Sequence, residues 1–140
     1  MVIDRIEGEN AYIEDEAGIR AVHVRQGYAA CSCIPLPGML LTSDWGIMKA
    51  LRPYTEEVYW VPAEGILLPG YNEGVLGGAS GVLNGTGTPE VFFFGDPSSM
   101  EYAETLSRML DASGAEFHLL AEDHPLTDRG GIRFIHPIHP

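Results

Sequence analysis

Met39-Leu40-Leu41-Thr42 and Val91-Phe92-Phe93-Phe94 are apolar at nearly every position, and each runs on to an aspartate, Asp44 or Asp96. Strands so uniformly apolar belong in sheets with helices packed against them. The surroundings of the two runs match as well. Each is preceded by small residues and glycines, at 27–33 or 77–81. Each is followed by a helical segment and then by a strand opening on glutamate, Glu57-Val58-Tyr59-Trp60-Val61 or Glu116-Phe117-His118-Leu119-Leu120. The order β-β-α-β therefore occurs twice, about fifty residues apart, a spacing typical of repeat architectures whose units bury apolar faces against their neighbours. Residues 127–135, with Gly130-Gly131, echo residues 76–83 and mark the start of a third copy.

The two helices follow from their end signals. Ser43 or Asp44 caps a short one over residues 45–52, with Met48 and Leu51 on one face and Pro53 ending it. Ser98-Ser99-Met100-Glu101 has capping-box spacing for the second, in which Tyr102, Leu106, Met109 and Leu110 recur at helical period before Gly114. On this reading residues 1–140 are a single domain: 19–66 a first module, 67–124 a second, and 125–140 the start of a third with a tail. Residues 1–18 are a peripheral acidic segment with Arg5 as its only basic residue. Ala11-Tyr12-Ile13 is the expected apolar centre of a strand or hairpin there.

Charge narrows the partners. Twenty Asp and Glu against eight Lys and Arg give a formal charge of -12, with Lys49 the only lysine. A nucleic-acid backbone or an anionic membrane is repelled by that balance, and the arginines are not clustered in sequence, so neither is an expected partner. No apolar run approaches the roughly 20 residues that cross a bilayer, and no secretory leader pattern is present, so the expected location is cytoplasmic.

Both cysteines lie in one stretch, Gly27-Tyr28-Ala29-Ala30-Cys31-Ser32-Cys33-Ile34-Pro35-Leu36. On an extended strand Cys31 and Cys33 project the same way, which disfavours a disulfide and leaves reduced thiols. As metal ligands they lack a second Cys or Cys-His pair at ligand spacing, and His136-Pro137-Ile138-His139 is terminal, so no metal site is expected. Gly77-Gly78-Ala79-Ser80-Gly81 lacks the Lys-Ser or Lys-Thr ending of a P-loop and leads into a strand, so no nucleotide or other cofactor is expected. Ser80 also lacks the glycine two positions later that a nucleophile elbow has. Two readings of Cys31 stay open: a nucleophile, or a small core residue between Ala30 and Ser32.

A β-β-α-β unit with a Gly-Gly entry strand resembles the module of the pentein fold of guanidino-group modifying enzymes: arginine and agmatine deiminases, dimethylarginine hydrolases and amidinotransferases. Seven blocks resemble, more closely, an uncharacterised pentein-like family of anaerobic bacteria. They are Val24-Arg25-Gln26-Gly27-Tyr28, Cys31-Ser32, Leu41-Thr42-Ser43-Asp44 with Gly46-Ile47, Leu68-Pro69-Gly70-Tyr71-Asn72, Gly77-Gly78-Ala79-Ser80-Gly81, Gly95-Asp96, and Pro125-Leu126-Thr127-Asp128 with Gly130-Gly131. The fold class implied is α/β: a partial propeller of about two and a half β-β-α-β modules, with mixed sheets and helices on the outside. The full propeller has five modules, so the resemblance implies a homo-oligomer or missing modules.

The resemblance also implies a site. In arginine deiminases a glycine-containing approach leads to a nucleophilic cysteine, which places Cys31 in that role. Guanidino hydrolysis further needs a histidine to move protons and carboxylates to hold a planar cation. Asn72 and Glu73 before Gly77-Gly78, and Asp128 before Gly130-Gly131, occupy equivalent points of successive units and are the candidate ligand-binding residues for a small cation. Asn72 and Asp128 are equally suited to shaping turns or capping strand ends. For the histidine, His124 is the candidate; His23 and His118 fall on expected strands, and none matches a catalytic histidine motif. Two functions are consistent with these residues. The first is a catalytically silent or incomplete pentein-like module binding a small ligand or a protein. The second is a cysteine-dependent hydrolase or transferase acting on a guanidino or amidine compound.

Overall fold

The apolar runs become the central strands of two separate sheets. The computed structural model describes residues 2–4, 12–14 and 20–135, and within them the chain is a mixed α/β fold of three small sheets and two α-helices. The first sheet holds β1 (Val2–Asp4), β2 (Tyr12–Glu14) and β3 (Arg20–His23), with β3 in the middle, parallel to β1 and antiparallel to β2. Tyr12 and Ile13 thus fall on a strand; Ala11 lies outside the described residues, as do His136 and His139.

The second sheet has the order β4 (Cys33–Leu36), β5 (Met39–Thr42), β6 (Val58–Trp60), and the third β7 (Ser80–Leu83), β8 (Glu90–Asp96), β9 (Glu116–Pro125). In each, an antiparallel hairpin is followed by a crossover through a helix to a parallel neighbour. The crossover helices are α1 (Trp45–Leu51) and α2 (Ala103–Ser113). A parallel strand pair requires such a crossover, because a tight turn can join only antiparallel strands. No sheet closes on itself among the described residues.

Side-chain alternation explains how the layers meet. On β4, β5 and β6 the face carrying Cys33, Leu40 and Val58 packs with Ile47 and Leu51 of α1 and with Val22 and Val24 at the end of the first sheet. The opposite face, with Ile34, Leu36 and Leu41, joins Val91 and Phe93 of β8 and Leu106 and Leu110 of α2 in the larger core. The second sheet is therefore covered on both faces, as its apolar sequence requires. The third sheet buries Val91 and Phe93, while Phe92 and Phe94 on its other face stay half-buried.

Several local expectations shift. The glycine-rich stretches do not enter as strands: residues 30–32 and 77–79 are single 3-10 turns, and the strands start only at Cys33 and Ser80. Small residues suit such turns because the chain packs closely there. Asp44 is the cap of α1, its carboxylate accepting from the Ile47 amide at 2.9 Å. Ser43 instead accepts from the Leu76 amide at 3.1 Å. The capping-box residues do not start α2. Asp96 caps a 3-10 turn over Pro97–Ser99, and the helix begins at Ala103. Gly114 ends it as expected, at φ 71°, a backbone state glycine reaches without a Cβ penalty. Residues 127–135, read as the start of a third unit, form no strand. Apart from one bridge of Thr127 to Leu67, they run beside the start of β7, the Arg129 and Gly131 amides donating to the Gly78 carbonyl and the Ile132 amide to that of Ser80.

Candidate functional site

Cys31 sits where the two glycine-rich turns meet. Its amide closes the first turn on the Tyr28 carbonyl at 3.1 Å. The second turn lies against it so closely that a side chain at Gly77 would overlap the carbonyl oxygens of Ala30, Cys31 and Cys33. Beside this seam opens a cleft of about 260 Å³, lined by Cys31, Ser80, Asn84, Arg133 and the backbone of Gly130 and Gly131, among others. The Cys31 thiol is half-buried and free. Ser80 is buried, its hydroxyl donating to the Leu76 carbonyl at 2.9 Å.

Cys33 has a different setting. As the first residue of β4 it points into the small core between β3 and α1 rather than standing beside Cys31 on a regular strand. Burial pushes its thiol up from the ordinary value, against a smaller lowering by a hydrogen bond with Thr42. A neutral, buried thiol packs as a small apolar group.

Asp128 is adjacent to the cleft but does not line it. One carboxylate oxygen accepts from the Val75 amide at 3.0 Å, the other from the Gly130 amide at 2.9 Å, and the carboxylate packs on Gly78, where a side chain would collide with it. With only 7% of its surface exposed, this group ties three segments together: the loop before the second turn, that turn itself, and residues 128–131. The hydrogen bonds are those of a turn-shaping aspartate. Asn72 and Glu73 are exposed in the loop between Leu67 and Val75 and are not among the lining residues.

The histidines lie elsewhere. His124 is on a bulge of β9: between the pairs Phe94↔Leu120 and Asp96↔Pro125, residues 121–124 face Gly95 alone. Such a bulge breaks the register and turns its residues out of the ladder. His124 is exposed there, 3.9 Å from Asp123. His118 lies on β9 and pairs with Glu90 at 2.9 Å. His23 ends β3. None of the three lines the Cys31 cleft.

Chemically, the described lining of the cleft, which includes Cys31 and Cys33, holds no imidazole and no carboxylate, and its one charged group is Arg133. Arg133 and Asn84 are polar lining residues that the sequence did not reveal. Both are far from Cys31 in the chain, and only the run of residues 128–133 alongside β7 brings Arg133 there. No described helix is long and apolar enough to cross a membrane.

The model of a family of unknown function (DUF6873) matches residues 6–133, nearly the whole chain, which therefore belongs to that family. No curated protein and no solved structure matches it.

Proposed function

We propose that this member of DUF6873 is a non-catalytic binding module of pentein-like build, and that its cleft beside Cys31 takes a small molecule carrying a carboxylate or similar anion. The observation that carries the reading is the lining of that cleft: a thiol, hydroxyl and amide side chains, glycine backbone and Arg133, with neither proton-transfer partner nor cation-holding carboxylate among the described residues. Attack by a thiol on a guanidinium carbon needs both. A guanidinium in contact with the ligand selects the opposite charge and can hold a carboxylate through paired hydrogen bonds.

The pentein-like part of the proposal is supported by the common strand order and pairing sense of the second and third sheets, and by the two glycine-rich turns meeting at one seam. The half-covered far face of the third sheet supports association with further modules or a second copy. Two free thiols support a reducing, cytoplasmic setting.

The test pairs a ligand titration with a reactivity probe. Small carboxylates and guanidino compounds are titrated while the Gly130, Gly131 and Arg133 amides are followed by NMR, with Arg133→Gln as control. Carboxylates are expected to shift these amides, with at least a tenfold loss of affinity in the variant. Chloroacetamidine is expected to label Cys31 no faster than a free thiol. Selective, rapid labelling of Cys31 at neutral pH, absent in Cys31→Ser, would overturn the proposal in favour of a cysteine-dependent guanidino hydrolase.

A further inference from the structure

The far face of the third sheet carries a set of side chains that the Cys31 cleft does not use. Strands β8 and β9 are parallel and in register, with Glu90 opposite Glu116 and Phe92 opposite His118. Residues two apart share a face. Glu90, Glu116 and His118 therefore project from one side, and their nearest ligand atoms all lie within 4.8 Å of one another. The imidazole is positioned twice over. Its Nε2 is 2.9 Å from the Glu90 carboxylate, and the ring stacks on Phe92 with centroids 4.7 Å apart. Phe92 is in turn packed by Phe134, at 4.9 Å.

We propose that Glu90, Glu116 and His118 form a surface site for a divalent transition ion of the zinc class. One imidazole nitrogen and two carboxylate oxygens are a ligand set that zinc accepts, with water completing the tetrahedron. Tetrahedral zinc holds its ligand atoms roughly 3.4 Å apart. The exposed Glu116 carboxylate closes the remaining distance by side-chain rotation, while His118 stays in place. Two carboxylates neutralise the ion, and a chain of formal charge -12 concentrates cations at its surface. The imidazole nitrogen selects zinc, nickel or copper over magnesium and calcium, which prefer oxygen alone. The ion would pin the start of β8 to the start of β9, away from the Cys31 cleft.

The experiment uses the full chain with His136 and His139 changed to Gln, so that the terminal histidines do not compete. Zinc is titrated by calorimetry, and cobalt by its visible absorption, in this background and with His118→Gln, Glu116→Gln or His124→Gln added. The expected result is one zinc per chain with micromolar affinity, a tetrahedral cobalt spectrum, at least a tenfold loss in His118→Gln and in Glu116→Gln, and no change in His124→Gln. Circular dichroism of each variant shows that the fold is kept, and these half-buried or exposed side chains leave the core intact. Zinc binding weaker than millimolar, or retained within twofold in His118→Gln, overturns the proposal.

Discussion

The second and third sheets share strand order and pairing sense, yet they solve the problem of burial differently. The second, with strands of four, four and three residues and a helix of seven, is covered on one face by its own α1 and on the other by the larger core that α2 shares. The third has longer parallel strands, β8 of seven residues and β9 of ten. It is covered fully only on the α2 side. Short strands suffice where neighbours supply apolar contact on both faces; a sheet with one open face is held by a longer ladder and by side-chain pairs upon it. The difference shows on the open face, where Phe92, Phe94, Glu90 and His118 form aromatic and polar contacts that a buried face would not carry.

The two sheets differ in the cores they draw on. Phe93 is fully buried in the core common to both sheets, so Phe93→Ala is expected to cost about 3–5 kcal/mol and to loosen both sheets together. Leu51, fully buried in the smaller core beneath α1, is expected to cost about 2–5 kcal/mol on change to Ala. Hydrogen exchange after Leu51→Ala should show α1 and β3 opening before β8 and β9. Simultaneous opening would show that the small core has no stability of its own.

A smaller effect tests the seam between the two units. Asp128→Ala leaves the Val75 and Gly130 amides without their acceptors and is expected to cost about 1–3 kcal/mol in denaturant unfolding. Asp128→Asn, which keeps one carbonyl oxygen, should cost less. If Asp128 were instead a ligand-binding group, either change would abolish binding with little loss of stability.

The smallest effects sharpen the contrast between the two aspartates that follow the central strands. Asp44 caps a true α-helix, and Asp44→Ala should cost about 1 kcal/mol. Asp96 caps only a 3-10 turn. Hydrogen bonds from the Ser98 backbone amide, and secondarily the Ser98 side chain, hold its carboxyl below the ordinary value of 3.8. A depressed folded value means that this cap contributes above the unfolded carboxyl's titration and is lost as pH falls through the folded one. NMR of the Ser98 amide should accordingly titrate with a midpoint below 3.8; a higher midpoint would show that the cap does not form.

Much of this architecture is legible residue by residue. Uniform apolarity marked β5 and β8, glutamates marked the approach to β6 and the start of β9, and Pro53 and Gly114 bounded the helices. These signals are local: strand burial, helix ends and turn propensity act over a few residues. The entry to β4 and β7 was harder to read, because Ala30-Cys31-Ser32 and Gly77-Gly78-Ala79 fit a strand or a turn equally well by propensity. Packing of one against the other made both into turns. Similarly, Ser98 and Ser99 have the spacing of a helix cap, but Asp96, with Pro97 after it, captured the free amide first.

The candidate site depended far more on what comes together at a distance. Read alone, the sequence placed the central strands and the two crossover helices, put both thiols in a small-residue segment, and gave a formal charge of -12. Only the tertiary structure decided that Asp128 spends both oxygens on backbone amides, that His124 stands on a bulge, and that Arg133 reaches the Cys31 cleft. The reason is physical. Helix and strand periodicity is written in neighbouring residues, whereas the partners of a carboxylate or a thiol are set by chain segments fifty or more positions away, as with Val75 and Asp128, and by the register in which sheets and loops pack.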